Sequence, residues 1–359
     1  MKKNRRVTII DIAKALNVSI GTVDRALHGR PGINEETRRR VLEKAEELNY
    51  KVNNVARSLS RKKSVKIGAV IPNRVTSMKY FFDDVINGIE RAAEELKDFK
   101  IEILIKSVDS IDHISEINAI NKLLEDGIDG LAICPFHRYE LNQIINEVTD
   151  KGIPVVTIGT DAPESKRLTC ISTNSYKTGQ MAGELMAKFI NFEGKVVVMT
   201  GFKNITDNDE KVSGFCNILK TLAPKVKVER VYETLELEEK AYLYTRKAIE
   251  EIPDLAGIYV ATANSPGVCR ALEDAGKKGA IKIIATDIFA DNSKYIKDGS
   301  IYATIYQAPF KQGYNSIYTL YQNITLKKSF PSVCYVKSEV VMNTNMSFYE
   351  QNSTLCSLD

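Results

Sequence analysis

The spacing of apolar residues changes once along the chain, near residue 65. Before that point, apolar residues recur at helical intervals in three short stretches between residues 8 and 50. Beyond it, short runs rich in Val and Ile alternate with amphipathic helical stretches. We predict strands at 65–72, 101–108, 130–135, 154–159, 195–201, 227–233, 256–262, 281–287 and 301–307. Continuous apolar strands linked by helices are typical of parallel sheets that are covered on both faces.

This strand–helix alternation runs through the sequence twice, before and after about residue 165. It predicts two similar, doubly wound α/β lobes with a cleft between them, where ligands bind outside the carboxyl ends of the strands. We place the first lobe at 65–162 and 291–325, and the second at 163–290 and 326–345. A tail follows at 346–359.

The N-terminal stretches predict a separate all-α domain over residues 1–50. Its inward positions are Ile12, Ala13, Leu16, Val23, Ala26, Leu27, Val41, Leu42, Ala45 and Leu48. Residues 51–64 carry many charges and few large apolar groups, so they cannot form a core of their own. We interpret them as a linker in which only a marginal short helix can form.

Charge divides the chain at the same place. Residues 1–64 contain 16 Lys/Arg and 7 Asp/Glu, a net charge of +9, whereas the remainder contains 34 and 39, a net charge of −5. A basic head on a mildly acidic body is expected of a domain that binds a polyanion. The alternative is a solvated basic tail, which the regular apolar pattern of the head makes less attractive.

Composition excludes several classes of protein. No apolar run approaches the roughly 18 residues of a membrane span, and no apolar signal region follows the basic start. We therefore expect a cytoplasmic protein with no membrane partner. The six cysteines form no C-x-x-C pair and the three histidines are far apart, so we expect no metal site and no cofactor. The sequence contains no G-x-S-x-G or Walker A motif, and we do not expect an enzyme.

The second helical stretch, residues 19–28, has an outward face suited to DNA. If positions 23, 26 and 27 point inward, the outward face carries Ile20, Gly21, Asp24, Arg25 and His28. Arg25 can bond to guanine and Ile20 can contact a thymine methyl group. Ser19 and Thr22 can bind phosphate through hydroxyl and backbone N–H groups. The alternative is an ordinary solvent-exposed face of a small helical bundle.

The run VTIIDIAKALNVSIGTVDRALHGRPGINEETRRRVLEKAEELNY resembles the head of the LacI/GalR (lactose-repressor) family. The pattern D-I-A-x-x-x-x-V-S-x-x-T-V-x-R-x-L, followed by T-R-x-x-V and L-N-Y, carries the resemblance. It implies a helix-turn-helix domain with its recognition helix at 19–28 and its main base-reading residues at Ile20, Gly21 and Arg25. Asp24 departs from the usual Ser, and an acid there can accept a bond from cytosine or orient Arg25, although it also repels phosphate.

The resemblance extends to the linker. Family members have a hinge helix that orders on the operator and inserts a leucine into the minor groove, and the matching residue is Leu59, beside Ala56. Val52 replaces the usual hinge proline, and the alternative is that Leu59 packs on the sensor surface. The predicted DNA-binding residues are Thr8, Ser19, Ile20, Gly21, Thr22, Asp24, Arg25, His28, Asn54, Ala56 and Leu59.

Residues 65–340 resemble the ribose-binding-protein type of sensor, a periplasmic-binding-protein-like type I fold. The resemblance implies that an aromatic pair, Phe81 and Phe82, stacks on sugar faces; the alternative is that both rings belong to the core. Asp287 and Gln307 match the sugar-binder pattern at strand ends. Asp209 falls near the position of a ligand-binding Arg, a loss of positive charge that favours a neutral or cationic ligand. The predicted ligand-binding residues are Lys79, Phe81, Phe82, Asp161, Asp209, Asn264, Asp287 and Gln307.

These expectations combine into a DNA-binding transcription regulator, a repressor whose operator affinity is controlled by a small sugar or polyol in the cleft. The resemblance also implies a homodimer, formed through residues 65–345, on a near-palindromic operator. The alternative is a sugar-binding protein without a regulatory role.

Overall fold

The computed structural model describes residues 7, 9–27, 31–48, 64–72, 79–108, 113–137, 139–203 and 205–350. The chain divides into two compact units, a head of three helices and a sensor that begins at Val65. Within these described ranges, no helix is long and apolar enough to cross a lipid bilayer.

The head consists of α1 (Ile9–Leu16), α2 (Ile20–Leu27) and α3 (Glu35–Glu47). Asn17 makes the turn between α1 and α2 with a φ of 54°, in the left-handed region that Asn tolerates better than most residues. The core of the head consists of Ile12, Ala13, Val23, Ala26, Val41 and Ala45. The inward position predicted for Leu42 is wrong: this side chain is 47% exposed, because α3 turns only the stripe through Val41 and Ala45 towards its neighbours.

The first lobe of the sensor is a sheet of six parallel strands in the order β11-β5-β4-β3-β1-β2. Its strands are β1 (Val65–Pro72), β2 (Ile101–Val108), β3 (Gly130–Ile133), β4 (Val155–Ile158), β5 (Thr169–Ser172) and β11 (Val333–Tyr335). Its helices are α4 (Lys79–Leu96), α5 (His113–Glu125), α6 (Asn142–Asp150) and α12 (Pro309–Leu326).

The second lobe repeats this plan with a sheet in the order β12-β10-β9-β8-β6-β7, in which only β12 is antiparallel. Its strands are β6 (Glu193–Thr200), β7 (Lys225–Glu233), β8 (Leu255–Val260), β9 (Lys282–Thr286), β10 (Ile301–Tyr306) and β12 (Glu339–Val341). Its helices are α7 (Ser175–Phe189), α8 (Thr206–Leu222), α9 (Glu238–Glu251), α10 (Ser265–Asp274), α11 (Ala290–Lys297) and α13 (Ser347–Glu350).

The predicted fold class is confirmed, and all nine predicted strands are present. The limits of the lobes differ from those predicted, because β5 pairs with β4 in the first sheet and β10 pairs with β9 in the second. The chain therefore crosses between the lobes at 172–175, 306–309 and 335–339, rather than near residues 162, 290 and 325. Sheet membership is decided by pairing between distant segments, which apolar periodicity does not report.

In each lobe, one pair of helices packs backbone against backbone at glycines. A Cβ atom at Gly88 or Gly313, where α4 crosses α12, would lie 2.0 Å from a carbonyl oxygen of the partner helix. The same separation applies to Gly179 and Gly214, where α7 crosses α8. A larger side chain would force the helices apart. These close contacts fix the positions of α4 and α8, whose N-terminal residues lie at the cleft between the lobes.

Candidate functional site

One face of α2 is exposed to solvent, and the opposite face is buried in the core of the head. Val23 and Ala26 are buried, whereas Gly21 and Arg25 are exposed and the Ile20 side chain is 47% exposed. A large apolar side chain held in solvent beside an arginine is expected where a helix meets the edges of bases. Because the apolar positions 23 and 26 are fixed in the core, this exposed face is rigidly oriented.

Polar groups at the start of α2 form a local cap. The Ser19 Oγ accepts a hydrogen bond from the Thr22 backbone N–H at 3.0 Å, and the two hydroxyl oxygens are 2.8 Å apart. Asp24 is half-buried. Five other predicted DNA-binding residues lie outside the described residues, as does the side chain of Lys79; the five are Thr8, His28, Asn54, Ala56 and Leu59.

The sensor contains a cavity between its two sheets, at the carboxyl ends of the strands. It encloses about 680 Å³, including its open mouth. The first lobe contributes Phe81, Phe82, Phe136, Ile158, Gly159, Thr160 and Gln312 to its lining. The second lobe and the crossings contribute Thr173, Ile205, Asp207, Asn208, Lys211, Glu236, Ala261, Thr262, Ala263, Thr286, Asp287 and Gln307.

Three phenylalanine rings form the apolar wall of this cavity. The rings of Phe81 and Phe82 meet edge to face at 5.2 Å, and Phe82 meets Phe136 in the same manner at 5.7 Å. Phe82 is buried, whereas Phe81 is only partly buried. Gly159 has a φ of 74°, and a Cβ atom there would lie 3.3 Å from the Phe81 ring, so this glycine leaves room for the ring. Both rings that the sequence predicts at the cleft line this cavity.

Asp287 and Gln307 form a fixed polar pair on the opposite wall. The Asp287 carboxylate accepts bonds from the Gln307 backbone N–H at 2.8 Å and from its side-chain amide at 2.6 Å. Burial raises the pKa of Asp287 to about 6, although both of these bonds lower it. Asp287 has a φ of 60°, so its backbone adopts the left-handed conformation in order to turn the carboxylate into the cavity.

Lys211 supplies a positive charge to the cavity, which no pattern in the sequence predicts. Its Nζ lies 2.6 Å from Asp207 and donates to the Ala261 carbonyl oxygen at 3.3 Å. Burial lowers the pKa of Lys211, but Asp207 and neighbouring groups more than offset this, so the pKa is raised and the ammonium stays charged. Among the described lining residues, it is the only cation.

Glu236 lies beside this pair after β7, where Leu235 and Glu236 both have positive φ values. Burial raises the pKa of Glu236 to about 7, although the Lys211 charge opposes this shift. A Cβ atom at Gly201 would lie 1.8 Å from the Glu236 carboxylate, so only glycine admits the glutamate at this position. Its carboxyl group is therefore a weaker acid than an ordinary glutamate and is partly ionised near neutral pH.

Three predicted ligand-binding residues do not line the cavity. Asp161 forms an ion pair with the largely buried Arg167 and accepts a bond from Thr157 at 2.9 Å. Asp209 is exposed on α8. Asn264 is fully buried and donates to the Thr234 hydroxyl at 2.9 Å, a contact that ties two loops together behind the cavity.

The sequence did not predict that Asp207, Lys211 and Glu236 line the cavity, and the reason differs between the helix and the turn that carry them. Asp207 and Lys211 are four apart on α8, a spacing that indicates one helix face, but the start of that helix is not marked by a cap with a side-chain bond. Glu236 lies in a turn with two positive φ values, and no residue pattern in the sequence predicts such a turn. Among the described residues, no group of three or more His, Cys, Asp or Glu is arranged to hold a metal ion.

Two further residues of α4 face the second lobe near the cavity. The Tyr80 ring stacks on Phe289 with centroids 4.3 Å apart and planes within 10°. One helical turn later, Asp84 faces Asp287 closely enough for the two carboxylates to repel. Burial and this repulsion raise the pKa of Asp84 to about 6.

Family profiles match both units of the chain. Residues 8–53 match the profile of bacterial regulatory proteins of the lacI family, and residues 68–328 match that of a periplasmic binding protein domain. Catabolite control protein A from Streptococcus mutans is 31% identical over 281 residues, which cover 77% of this chain and 80% of that protein. The probable HTH-type transcriptional repressor ExuR of Bacillus subtilis is 30% identical over 59% of this chain and 60% of its own.

Solved structures match the sensor. A solute binding protein of an ABC transporter from Burkholderia graminis, in complex with D-arabinose, is 25% identical and superposes with a TM-score of 0.74. The match covers 80% of this chain and 98% of that one. GanP, a glucose-galactose binding protein from Geobacillus stearothermophilus, is 24% identical with a TM-score of 0.72 over 79% and 99% of the two chains, and shows the same fold.

Proposed function

Because this chain belongs to the lacI family of bacterial regulatory proteins and carries a periplasmic binding protein domain, it is a DNA-binding transcription regulator, and we propose that it is a sugar-controlled repressor. A small sugar or polyol in the interlobe cavity changes its affinity for operator DNA. The name of ExuR, a probable repressor, and the D-arabinose bound by the matching Burkholderia graminis protein support this choice.

The observation that carries the DNA-binding role is the exposed face of α2. Ile20, Gly21 and Arg25 point into solvent from a helix whose other face is locked into the head core. We propose that Arg25 reads a guanine, that Ile20 contacts a thymine methyl group, and that Ser19 and Thr22 bind phosphate. The residues of the hinge, which lie outside the described part of the chain, are proposed to bind the minor groove.

The cavity fits a small hydroxylated molecule. Phe81, Phe82 and Phe136 offer apolar surface for sugar C–H groups, and Asp287 offers strong acceptors for hydroxyl groups. A ligand touching both lobes stabilises one lobe arrangement over others, and it regulates DNA binding only to the extent that it prefers that state. Residues 1–50, 51–64 and 65–345 are accordingly proposed as the DNA-binding, hinge, and effector-binding and dimerisation segments.

The relatives are regulators rather than enzymes, and we propose that this chain likewise lacks catalytic activity. The cavity carboxyl groups are engaged by Gln307 and Lys211. None of the lining residues in the described chain is a serine, cysteine or histidine that would serve as a nucleophile. A bound sugar should therefore be recovered chemically unchanged after prolonged incubation. We further propose a cytoplasmic homodimer on a near-palindromic operator.

Selection from random duplex DNA by the full-length protein tests this function. We expect enrichment of an inverted repeat with half-sites about one helical turn apart, roughly 10 base pairs. Arg25→Ala should abolish the enriched motif while retaining salt-sensitive, non-specific binding. Arg39→Ala, which removes a side chain that is 71% exposed on α3, is the matched control and should retain the motif. No enriched sequence with the native protein would leave only a sugar-binding protein with a basic extension.

A further inference from the structure

The cavity contains more negative than positive charge. Asp207, Glu236 and Asp287 all line it, whereas Lys211 is the only cation among the described lining residues. Asp84, on α4, is not a lining residue, but it lies near enough to Asp287 for that charge to raise its pKa. Buried charges are costly unless they are paired or hydrogen-bonded. The described protein groups therefore leave a charge imbalance that a ligand can correct.

Lys211 already forms an ion pair with Asp207. Its ammonium lies 2.6 Å from Asp207 and also bonds to the Ala261 carbonyl oxygen. The Lys211 charge lowers the pKa values of Glu236 and Asp287, but burial outweighs this effect and raises them to about 7 and about 6. The carboxylate of Asp287 receives bonds only from Gln307 among the contacts described, and these are neutral donors. Asp287 is thus the least compensated charge in the cavity.

Asp84 brings a second carboxylate near Asp287, from the opposite lobe. The stacked rings of Tyr80 and Phe289 hold the start of α4 against the loop that follows Asp287. Asp84, one turn after Tyr80, is consequently near Asp287, whose charge disfavours ionisation of Asp84. Two like charges on opposite lobes resist closure unless a positive group lies between them.

Uncharged polar groups in the cavity also lack partners. The Thr262 hydroxyl and the Gln312 Oε1 have no hydrogen-bond partner among the described residues, although both residues are more than nine-tenths buried and line the cavity. Buried polar atoms in native proteins are almost always satisfied. A bound molecule with hydroxyl or amine groups would satisfy both atoms, which is an argument independent of charge.

We propose that the cavity binds an amino sugar or amino cyclitol, whose ammonium group lies between Asp84 and Asp287 and whose ring packs on Phe81 and Phe82. This proposal rests on the sensor role proposed above and specifies the class of ligand. An ammonium group offers three donors and can bridge both carboxylates with charge-assisted bonds. The hydroxyl groups of the ring would satisfy Thr262 and Gln312.

The charge of the ligand decides between related molecules. A neutral sugar of the same shape would leave the repulsion between Asp84 and Asp287 in place. A uronic acid would bring a further negative charge to a cavity in which Lys211, the only cation among the described lining residues, is already paired with Asp207. The affinity order should therefore be amino sugar, then neutral sugar, then uronate, with the amino member favoured roughly tenfold or more, as expected for a hydrogen bond to a charged group.

Matched sugars of different charge test the proposal on the full-length protein at pH 7. D-glucosamine, D-glucose and D-glucuronate, and the corresponding galactose series, are compared by thermal shift and by isothermal titration. Asp84→Asn should remove the preference for the amino member while retaining binding of the neutral one. Glu90→Gln, an exposed acid on the same helix, should leave all affinities unchanged.

Three results would overturn the proposal: equal affinity for the neutral member, tighter binding of the uronate, or no response to either amino sugar. These results leave the regulator function standing if another sugar alters DNA binding. Conversely, failure of the DNA selection would remove the regulator function and leave a measured preference for amino sugars intact.

Discussion

The buried pair of Lys211 and Asp207 gives the sharpest prediction about stability. Lys211→Met keeps much of the side-chain length but removes the charge. At the observed 2.6 Å, the gross attraction at an effective dielectric constant near 20 is about 6 kcal/mol, most of which offsets dehydration of the two ions. The relevant quantity is the cost of leaving one partner behind, which is typically about 3–5 kcal/mol.

Asp207 keeps 20% of its side-chain surface exposed and can recover part of its hydration, which places the expected loss near the low end, at about 3 kcal/mol. Urea unfolding followed by circular dichroism measures it. With a slope of about 3 kcal/mol per molar urea, the midpoint should fall by about 1 M.

Two variants serve as controls, one for the change of a lysine to methionine and one for the carboxylate that Lys211→Met leaves without its partner. Lys220→Met changes an exposed lysine on the same helix and should cost less than about 0.5 kcal/mol. Adding Asp207→Asn to Lys211→Met should recover at least half of the lost stability, because the stranded carboxylate is gone. If Lys211→Met costs no more than Lys220→Met, the pair does not hold this part of the lobe together.

Three other perturbations follow from the structure. Gly179→Ala places a methyl group 2.0 Å from the Lys211 carbonyl oxygen and should lower the free energy of unfolding by about 1–3 kcal/mol in a urea titration. Tyr80→Ala removes a stacked pair worth about 1 kcal/mol, so amides at 287–292 should exchange hydrogen about fivefold faster. Glu236 has a folded-state pKa of about 7, above its ordinary 4.5, so the folded state binds this proton more tightly than the unfolded state does. The free energy of unfolding should therefore rise as pH falls from 8 to 5.5. Glu236→Gln should remove about 1–3 kcal/mol of that rise.

Each of these has a control on the same element or in the same side chain. Lys177→Ala, at an exposed position of α7, should be close to neutral, and equal losses for it and Gly179→Ala would refute the steric argument. Tyr80→Phe retains the ring and should retain slow exchange. Parallel pH profiles of the native protein and Glu236→Gln would show that this carboxyl group does not titrate near neutrality.

The strands were predictable where burial on both faces produced long apolar runs, as in β1 and β6. The short strands β11 and β12 were not, because a run of only three residues is too short to show a period. Asp287 and Gln307 were predictable because each directly follows a strand, where parallel sheets gather their polar residues. Lys211 and Glu236 were not, because a helix crossing and a turn with positive φ bring them to the cavity, and neither feature has a sequence signal.

The three crossings between the lobes impose an order on biosynthesis. The first lobe lacks β11 beside β5, and lacks α12 against the glycine face of α4, until residues 309–335 have left the ribosome. By then the whole of β6–β10 has already emerged. A nascent chain must therefore carry an unfinished first lobe, with an open strand edge and an uncovered helix face, through the synthesis of most of the second. Slow translation beyond residue 172 would prolong that exposure, and chaperones that recognise apolar surface would find their binding sites on α4 and β5.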